Sequence, residues 1–167
     1  RSMLQAEAGR KPLYKTGIVN GLPALLFDSG DDVMATAASL TGMCTVVAVA
    51  KYVGASFGSY NGLFTGDGGN IWWIGSAGGT GWYTGESSGQ TFYKDNVVGT
   101  SEVTNAWHCF IATHAGKTHV AQIGRDRSYD GRDWGGYIAE VAIYDNVLSA
   151  DDRTLLDAYL RAKYAIA

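Results

Sequence analysis

The chain has 167 residues, of which 23 are glycine, about twice the usual share of ~7%. Its content of 46% hydrophobic and 17% charged residues excludes an intrinsically disordered chain, which needs low hydrophobicity and high charge. The net charge of −3 argues against a general nucleic-acid binder, and no apolar run approaches the ~18 residues of a membrane span. What remains is a glycine- and aromatic-rich globular domain, a composition that favours an all-β fold.

The predicted elements follow one another as short strands separated by glycine turns. Arg1 to Lys11 show no sustained period and are predicted to be an irregular continuation of an upstream segment, before a single domain over residues 12–167. The apolar runs are rich in β-branched and aromatic residues, which is typical of a two-sheet sandwich. The predicted strands are Ala24–Phe27, Met43–Tyr52, Asn70–Ile74, Gly81–Thr84, Gln90–Tyr93, Trp107–His114, Thr118–Ile123 and Gly136–Tyr144.

Turn residues predict where these strands are connected. Asn61-Gly62 has the composition of a turn, and Ala115-Gly-Lys117 lies between two strand patterns and predicts a hairpin. Cys44 and Cys109 could form one disulfide, but each lies in an apolar run. A small secreted scaffold normally carries more cysteines, so two buried free thiols are the favoured interpretation.

One helix is predicted at the C-terminal end. Ser149 is its N-cap, and two aspartates follow in the first turn, where the helix dipole favours negative charge. An apolar face at helical spacing should pack this helix on the outside of the β fold. The residues of that face are Leu155, Leu156, Tyr159 and Leu160.

Two segments of the chain carry a family resemblance. The first is Pro12-Leu-Tyr14, then Asn20-Gly-Leu-Pro-Ala-Leu-Leu-Phe-Asp28, followed by Asp31-Asp32. The second is Gly136-Tyr-Ile-Ala-Glu-Val-Ala-Ile-Tyr-Asp145, then Leu148-Ser149 and Tyr159-Leu160 to Lys163-Tyr164. Together they resemble the concanavalin A-like (laminin G-like) jelly-roll modules that are common in bacteriophage structural proteins and bacterial surface proteins. The resemblance implies a two-sheet jelly-roll sandwich with one C-terminal helix.

No catalytic site is predicted, although the same fold also occurs in glycan-cleaving enzymes. Hydrolases of this fold typically carry Glu-x-Asp-x-x-Glu on one strand, and no glutamate of this chain is followed by x-Asp. Glu140 lies in the resembling strand segment and is interpreted as structural. His108, His114 and His119 could form a three-histidine metal site, but ordinary histidines are favoured.

Aromatic residues are the main candidates for binding. Adjacent aromatic residues on a strand point to opposite faces, so only one of each pair can belong to the core. Either both faces are covered by other parts of the protein or a partner, or one face stacks on sugar rings while polar side chains bond the hydroxyls. The candidate ligand-binding residues are Trp72, Trp73, Trp82, Tyr83, Trp134, Asp67, Asn70, Arg132 and Asp133.

The segment from Arg125 to Trp134 is the densest polar stretch. The family resemblance implies a Ca²⁺ site in a rim loop, and Asp130 and Asp133 offer the oxygen ligands that Ca²⁺ requires. The interleaved arginines favour a salt-bridged loop instead, and Asp67 with Asn70 is a second candidate cation site. Asp31 and Asp32 are interpreted as turn residues.

Two functions remain open at this point. The first is a non-catalytic, lectin-like module on a phage virion or a bacterial surface, with a glycan as partner. The second is a purely structural virion module, a head decoration or tail-associated domain, that packs against other proteins in a larger assembly. A glycan-cleaving enzyme is a distant third.

Overall fold

Two antiparallel β-sheets and one C-terminal helix make up the fold. The computed structural model describes residues 2–54, 60–66, 73–76, 82–83, 89–99 and 104–167. Their architecture confirms the predicted all-β sandwich with a terminal helix. The strands are β1 (Met3–Leu4), β2 (Leu13–Val19), β3 (Leu22–Asp28), β4 (Met34–Thr36), β5 (Leu40–Tyr52), β6 (Gly62–Thr65), β7 (Trp73–Ser76), β8 (Trp82–Tyr83), β9 (Thr91–Lys94), β10 (Val97–Val98), β11 (His108–His119), β12 (Gln122–Ile123) and β13 (Gly135–Tyr144). The helix, α1, is Ala150–Tyr164.

The strand order shows that distant parts of the chain lie side by side. Within the described residues, one sheet has six strands in the order β1-β4-β12-β6-β7-β8, and the other has seven in the order β10-β9-β11-β5-β13-β3-β2. Strand β5 is the centre of the seven-stranded sheet, where it pairs with β11 on one side and β13 on the other.

The core has two layers, one on each face of the seven-stranded sheet. Side chains alternate along β5, so that Val46 and Ala48 face the six-stranded sheet while Val47 and Val49 face α1. All four are fully buried. A strand buried on both faces has an almost continuous apolar sequence, which explains the run from Val46 to Ala50.

Helix α1 begins as predicted but packs with a partly different face. The side chain of Ser149 accepts a hydrogen bond from the backbone N–H of Asp152, which confirms the N-cap. Leu160 is buried, but Leu155 and Tyr159 are 70% and 60% exposed, so their prediction as core residues is wrong. The buried face instead includes Asp157 and Tyr164, which are seven residues apart, two helical turns.

The predicted hairpin at Ala115-Gly-Lys117 is wrong. Strand β11 runs through these residues and pairs with β5 from His108 to His119, with a register shift between Thr113 and Lys117. A glycine inside a strand commonly marks a bulge, and Gly116 has a φ of +116°. Pairing along the thirteen-residue strand β5 therefore outweighs the local turn preference.

Residues 2–11 are part of the sandwich, although the sequence predicted an irregular segment. They include β1, which pairs with β4, and a short 3-10 helix over Ala8–Arg10. Gln5 donates a side-chain hydrogen bond of 3.1 Å to the carbonyl of Val33, and the backbone N–H of Val33 donates to the carbonyl of Arg10 at 3.1 Å. These contacts attach the segment to the domain.

Both cysteines are free thiols, as predicted, with Cys109 buried and Cys44 half-buried. Among the described residues no helix has the length and apolar character needed to cross a membrane.

Candidate functional site

Three segments from distant parts of the sequence meet at one end of the sandwich. They are residues 28–32 after β3, residues 60–62 at the start of β6, and residues 124–134 between β12 and β13; we call this surface the rim. The backbone N–H of Ser29 donates to the carbonyl of Trp134 at 3.2 Å, and that of Gly62 donates to the carbonyl of Arg132 at 3.1 Å. The Asn61 amide donates to the carbonyl of Asp133 at 2.6 Å. The three segments therefore form one hydrogen-bonded unit.

Two glycines allow this close approach. A side-chain carbon at Gly62 would collide with the backbone of Arg125 and Asp126. At Gly124 it would collide with the ring of Phe27 and the carbonyl of Asp32. Gly62 is the first residue of β6, and the Asn61-Gly62 pair lies in contact with the segment 124–134.

Ion pairs hold the segment 124–134 in shape. The buried carboxylate of Asp126 accepts hydrogen bonds from Arg127 Nε at 2.8 Å and Nη2 at 3.2 Å, and from Arg132 Nη1 at 2.8 Å. Arg125 is also buried, with its Nε 3.2 Å from Asp133 Oδ1 and its Nη2 paired with Asp130. Charge-assisted bonds of this kind fix both partners in one geometry.

The salt-bridged alternative predicted for this loop is therefore confirmed. Asp130 and Asp133, the residues proposed as Ca²⁺ ligands, both pair with the guanidinium of Arg125. They differ in environment, because the side chain of Asp130 is 98% exposed and that of Asp133 only 1%. In this arrangement the two carboxylates are bound to an arginine.

An aromatic and cationic stack forms the exposed part of the rim. The guanidinium carbon of Arg132 lies 4.7 Å from the ring centroid of Tyr60 and 4.5 Å from that of Tyr129. Arg127 lies 4.6 Å from the Tyr129 ring as well. Tyr60 is 37% exposed and Tyr129 48% exposed. Since Arg132 is also bound to Asp126, the two rings are attached to a fixed support while part of each stays open to solvent.

The backbone of the rim adopts costly conformations. Ser29, Tyr60 and Arg127 have φ angles of +70°, +61° and +55°. This left-handed region is uncommon for residues other than Gly, Asn and Asp, and each such residue costs on the order of 1 kcal/mol. Strain of this kind persists where the surroundings enforce it and is concentrated at functional sites.

Carboxylates dominate the electrostatics of the rim. Asp28, Asp31 and Asp32 each place one carboxylate oxygen within 4.8 Å of the others. Burial raises the pKa of Asp32, and the charges of Asp28 and Asp31 raise it further. Burial also raises the pKa of Asp133 to about 6, against the opposing effect of Arg125, with Asp130 and Asp31 adding to the rise. Asp31 contributes to both shifts, so residues 28–32 and 133 share one negative environment.

The structure corrects one predicted ligand-binding residue and positions several others. Trp134 is completely buried and packs edge-on against Tyr52 at a centroid distance of 5.1 Å, so its predicted role in stacking on a sugar is wrong. Arg132 lies in the rim, as described above. Trp73 lies in β7, and Trp82 and Tyr83 lie in β8 at the edge of the six-stranded sheet. Asp67, Asn70 and Trp72 lie outside the described residues.

The three histidines do not share a site. All lie on the twelve-residue strand β11, and the eleven steps from His108 to His119 correspond to roughly 36 Å along a strand. His108 Nδ1 lies 2.6 Å from Oδ2 of Asp95, a residue of the turn between β9 and β10. The interpretation of Glu140 as structural agrees with its contacts, because it accepts hydrogen bonds of 2.8 Å from both Lys163 and Tyr164 of α1.

Sequence reasoning missed Tyr60, Tyr129 and the role of Asp126. The only local signal was the density of charge between residues 125 and 133, since Tyr60 is separated from it by more than 60 residues. Comparisons of the chain with protein-family models, curated proteins and solved structures found no match.

Proposed function

We propose that this chain is a non-catalytic carbohydrate-binding module of the concanavalin A-like (laminin G-like) class, displayed on a virion or a cell surface. The observation that carries the proposal is the Tyr60–Arg132–Tyr129 stack, in which two partly exposed rings are attached to one buried ion-pair network. Rigid, exposed aromatic rings beside polar groups suit the apolar face of a sugar and its hydroxyls.

The polar groups needed for hydroxyl recognition lie on the same surface. Asp28 and Asp31 are exposed, and Asp130 is almost fully so. A carboxylate accepts hydrogen bonds from sugar hydroxyls, and each such charge-assisted bond is stronger than a neutral one. Because the site is shallow, single-site affinity should be weak, and several copies on one particle would raise the avidity.

A purely structural virion module is the second candidate. It is favoured by exposed apolar residues on the outermost strand of the seven-stranded sheet, where Leu13 and Tyr14 of β2 are 56% and 67% exposed. An edge strand with open backbone groups and exposed apolar side chains is suited to pairing with another chain.

A glycan array probed with the wild-type chain and a Tyr60→Ala/Tyr129→Ala variant tests the first proposal. Loss of both rings should lower the affinity by about fivefold or more, because each aromatic contact contributes about 0.5 to 1.5 kcal/mol. Tyr159→Ala is the matched control, since Tyr159 is 60% exposed on α1 and also lies near a cation, with Lys163 Nζ 6.0 Å from its ring.

The array is run with Ca²⁺ and with a chelator. Loss of binding on chelation would point to a cation held by the carboxylates of residues 28–32, whereas unchanged binding would leave the tyrosine stack as the whole site. A blank array with correctly folded protein would contradict the glycan proposal and favour the structural module.

A further inference from the structure

We propose that the rim discriminates by charge, binding uncharged and amine-bearing glycans and rejecting glycans that carry sulfate or carboxylate groups. This inference rests on the proposed glycan-binding function, since it names the class of sugar that the same surface would take. It follows from the pairing of the arginines and the excess of carboxylates.

Every arginine of the rim is already paired. Arg125 is bound by Asp130 and Asp133, while Arg127 and Arg132 are both bound by the buried carboxylate of Asp126. An acidic sugar is normally recognised by a guanidinium or ammonium group that can turn toward it. Arg127 and Arg132 share the single carboxylate of Asp126, which is 1% exposed, so part of their positive charge is already balanced where an anion would approach.

The neighbouring arginine outside the rim is paired in the same way. Arg10 Nε donates to the carbonyl of Asp31 at 3.3 Å and lies 3.9 Å from its carboxylate, and Arg10 Nη1 lies 3.9 Å from Glu7. This arginine is thus oriented toward an acid of the rim itself.

Carboxylates outnumber arginines in the three rim segments. Residues 28–32, 60–62 and 124–134 contain six aspartates and three arginines and have no lysine or glutamate, which gives a formal charge of −3. Burial is the main cause of the raised pKa of Asp32 and Asp133, and neighbouring rim carboxylates raise each pKa further.

The stretch of chain that contains Tyr60 and β6 lies between Lys51 and Lys94 in the sequence. From Tyr52 to Tyr93 there is no lysine or arginine, while Asp67 and Glu86 add negative charge. This range includes the segments next to Tyr60 and β6 that the structure does not describe. Those segments therefore contain no lysine or arginine side chain.

The expected size of the effect follows from Coulomb's law. For an anionic group about 8 Å from a net charge of −3 in a water-like dielectric, binding should be about tenfold weaker than for the neutral sugar at low ionic strength. Salt at 0.15 M, with a Debye length of about 8 Å, should reduce this to about threefold.

Two series of matched, immobilised probes test the inference. The first compares N-acetyllactosamine with its sulfated and sialylated forms, and the second compares chitohexaose with its de-N-acetylated form. Binding is measured at 20 mM and at 150 mM salt. We expect the acidic forms to bind about tenfold more weakly than the neutral one at 20 mM salt, and the amine form at least as well as the N-acetylated one. An Asp31→Asn/Asp130→Asn variant removes two exposed charges, so it should bind the acidic forms only about threefold more weakly than the neutral form at 20 mM salt. Asp151→Asn, which removes an exposed acid of α1, should leave the tenfold difference between neutral and acidic forms unchanged.

The outcomes separate this inference from the function on which it rests. Binding that depends on Tyr60 and Tyr129 but is equal or stronger for acidic glycans overturns the charge selection and leaves the function standing. If the tyrosine substitutions leave binding unchanged, the glycan site lies elsewhere and the charge selection at the rim is overturned. If no probe binds at all, both the glycan-binding function and the charge selection are overturned.

Discussion

The buried carboxyl of Asp133 should make the stability of this protein fall as the pH rises from about 4 to 7. Burial raises its pKa to about 6 from the ordinary 3.8, because Arg125 offsets only part of the loss of hydration. A carboxyl whose pKa is raised in the folded state contributes most to stability when both states are protonated. That contribution is lost as the pH rises from the unfolded value through the folded value.

The magnitude follows from the size of the shift. A rise from 3.8 to about 6 corresponds to about 3 kcal/mol of stability, since each pKa unit is worth about 1.36 kcal/mol. Asp133→Asn keeps the size of the side chain and removes its charge, while the N–H of Arg125 Nε keeps its own acceptor, the carbonyl of Tyr129 at 3.2 Å. The variant should therefore lack this pH dependence, and its stability relative to the wild type should increase by about 2.4 kcal/mol between pH 4 and pH 7.5.

The measurement is the free energy of unfolding in urea, determined for both proteins at intervals over that range. The carboxyls of Asp32 and Asp157, whose pKa values burial also raises, are present in both proteins and cancel in the difference. Asp151→Asn controls for the removal of an exposed acid. Parallel profiles for wild type and Asp133→Asn, with a titration midpoint for Asp133 near 3.8 by NMR, would refute the reasoning.

Two further substitutions test the rim and the helix. Asp126→Ala should destabilise the fold by about 3 kcal/mol, because it leaves two arginines without their buried acceptor. Urea denaturation measures this free energy of unfolding. A loss below about 1 kcal/mol would show that the ion-pair network does not support the structure. Leu160→Ala should lower the free energy of unfolding by about 2 to 5 kcal/mol, because the Leu160 side chain is only 2% exposed. Leu155→Ala should change it by less than about 0.5 kcal/mol, because Leu155 is 70% exposed. Equal thermal shifts for the two leucine variants would contradict the orientation of α1.

Local sequence patterns determined much of the fold. β-branched and aromatic runs predicted most of the long strands, because alternating or continuous apolar residues suit a pleated, buried surface. Ser149 with two following acids predicted the start of α1, since capping depends only on residues within one turn. The interleaved charges of residues 125–133 predicted a salt-bridged loop, because its partners are close in sequence.

Long-range packing decided what those patterns left open. Pairing with β5 kept β11 continuous through Gly116, where local composition indicates a turn. The position of the helix on the seven-stranded sheet decided that Leu160 rather than Leu155 is buried, although both fit an apolar face. Tertiary packing also decided the role of Trp134. An aromatic residue beside charged residues can bind a ligand or belong to the core, and packing between the two sheets places Trp134 in the core.

The rim itself is a product of the tertiary structure. Residues 28–32, 60–62 and 124–134 are brought together by strand order and by the two glycines that permit close contact. Sequence alone fixes their charges, and with them the excess of carboxylates over arginines. Which arginine pairs with which acid, and which tyrosine rings remain exposed beside them, depends on distances between residues far apart in the chain, and only folding sets those distances.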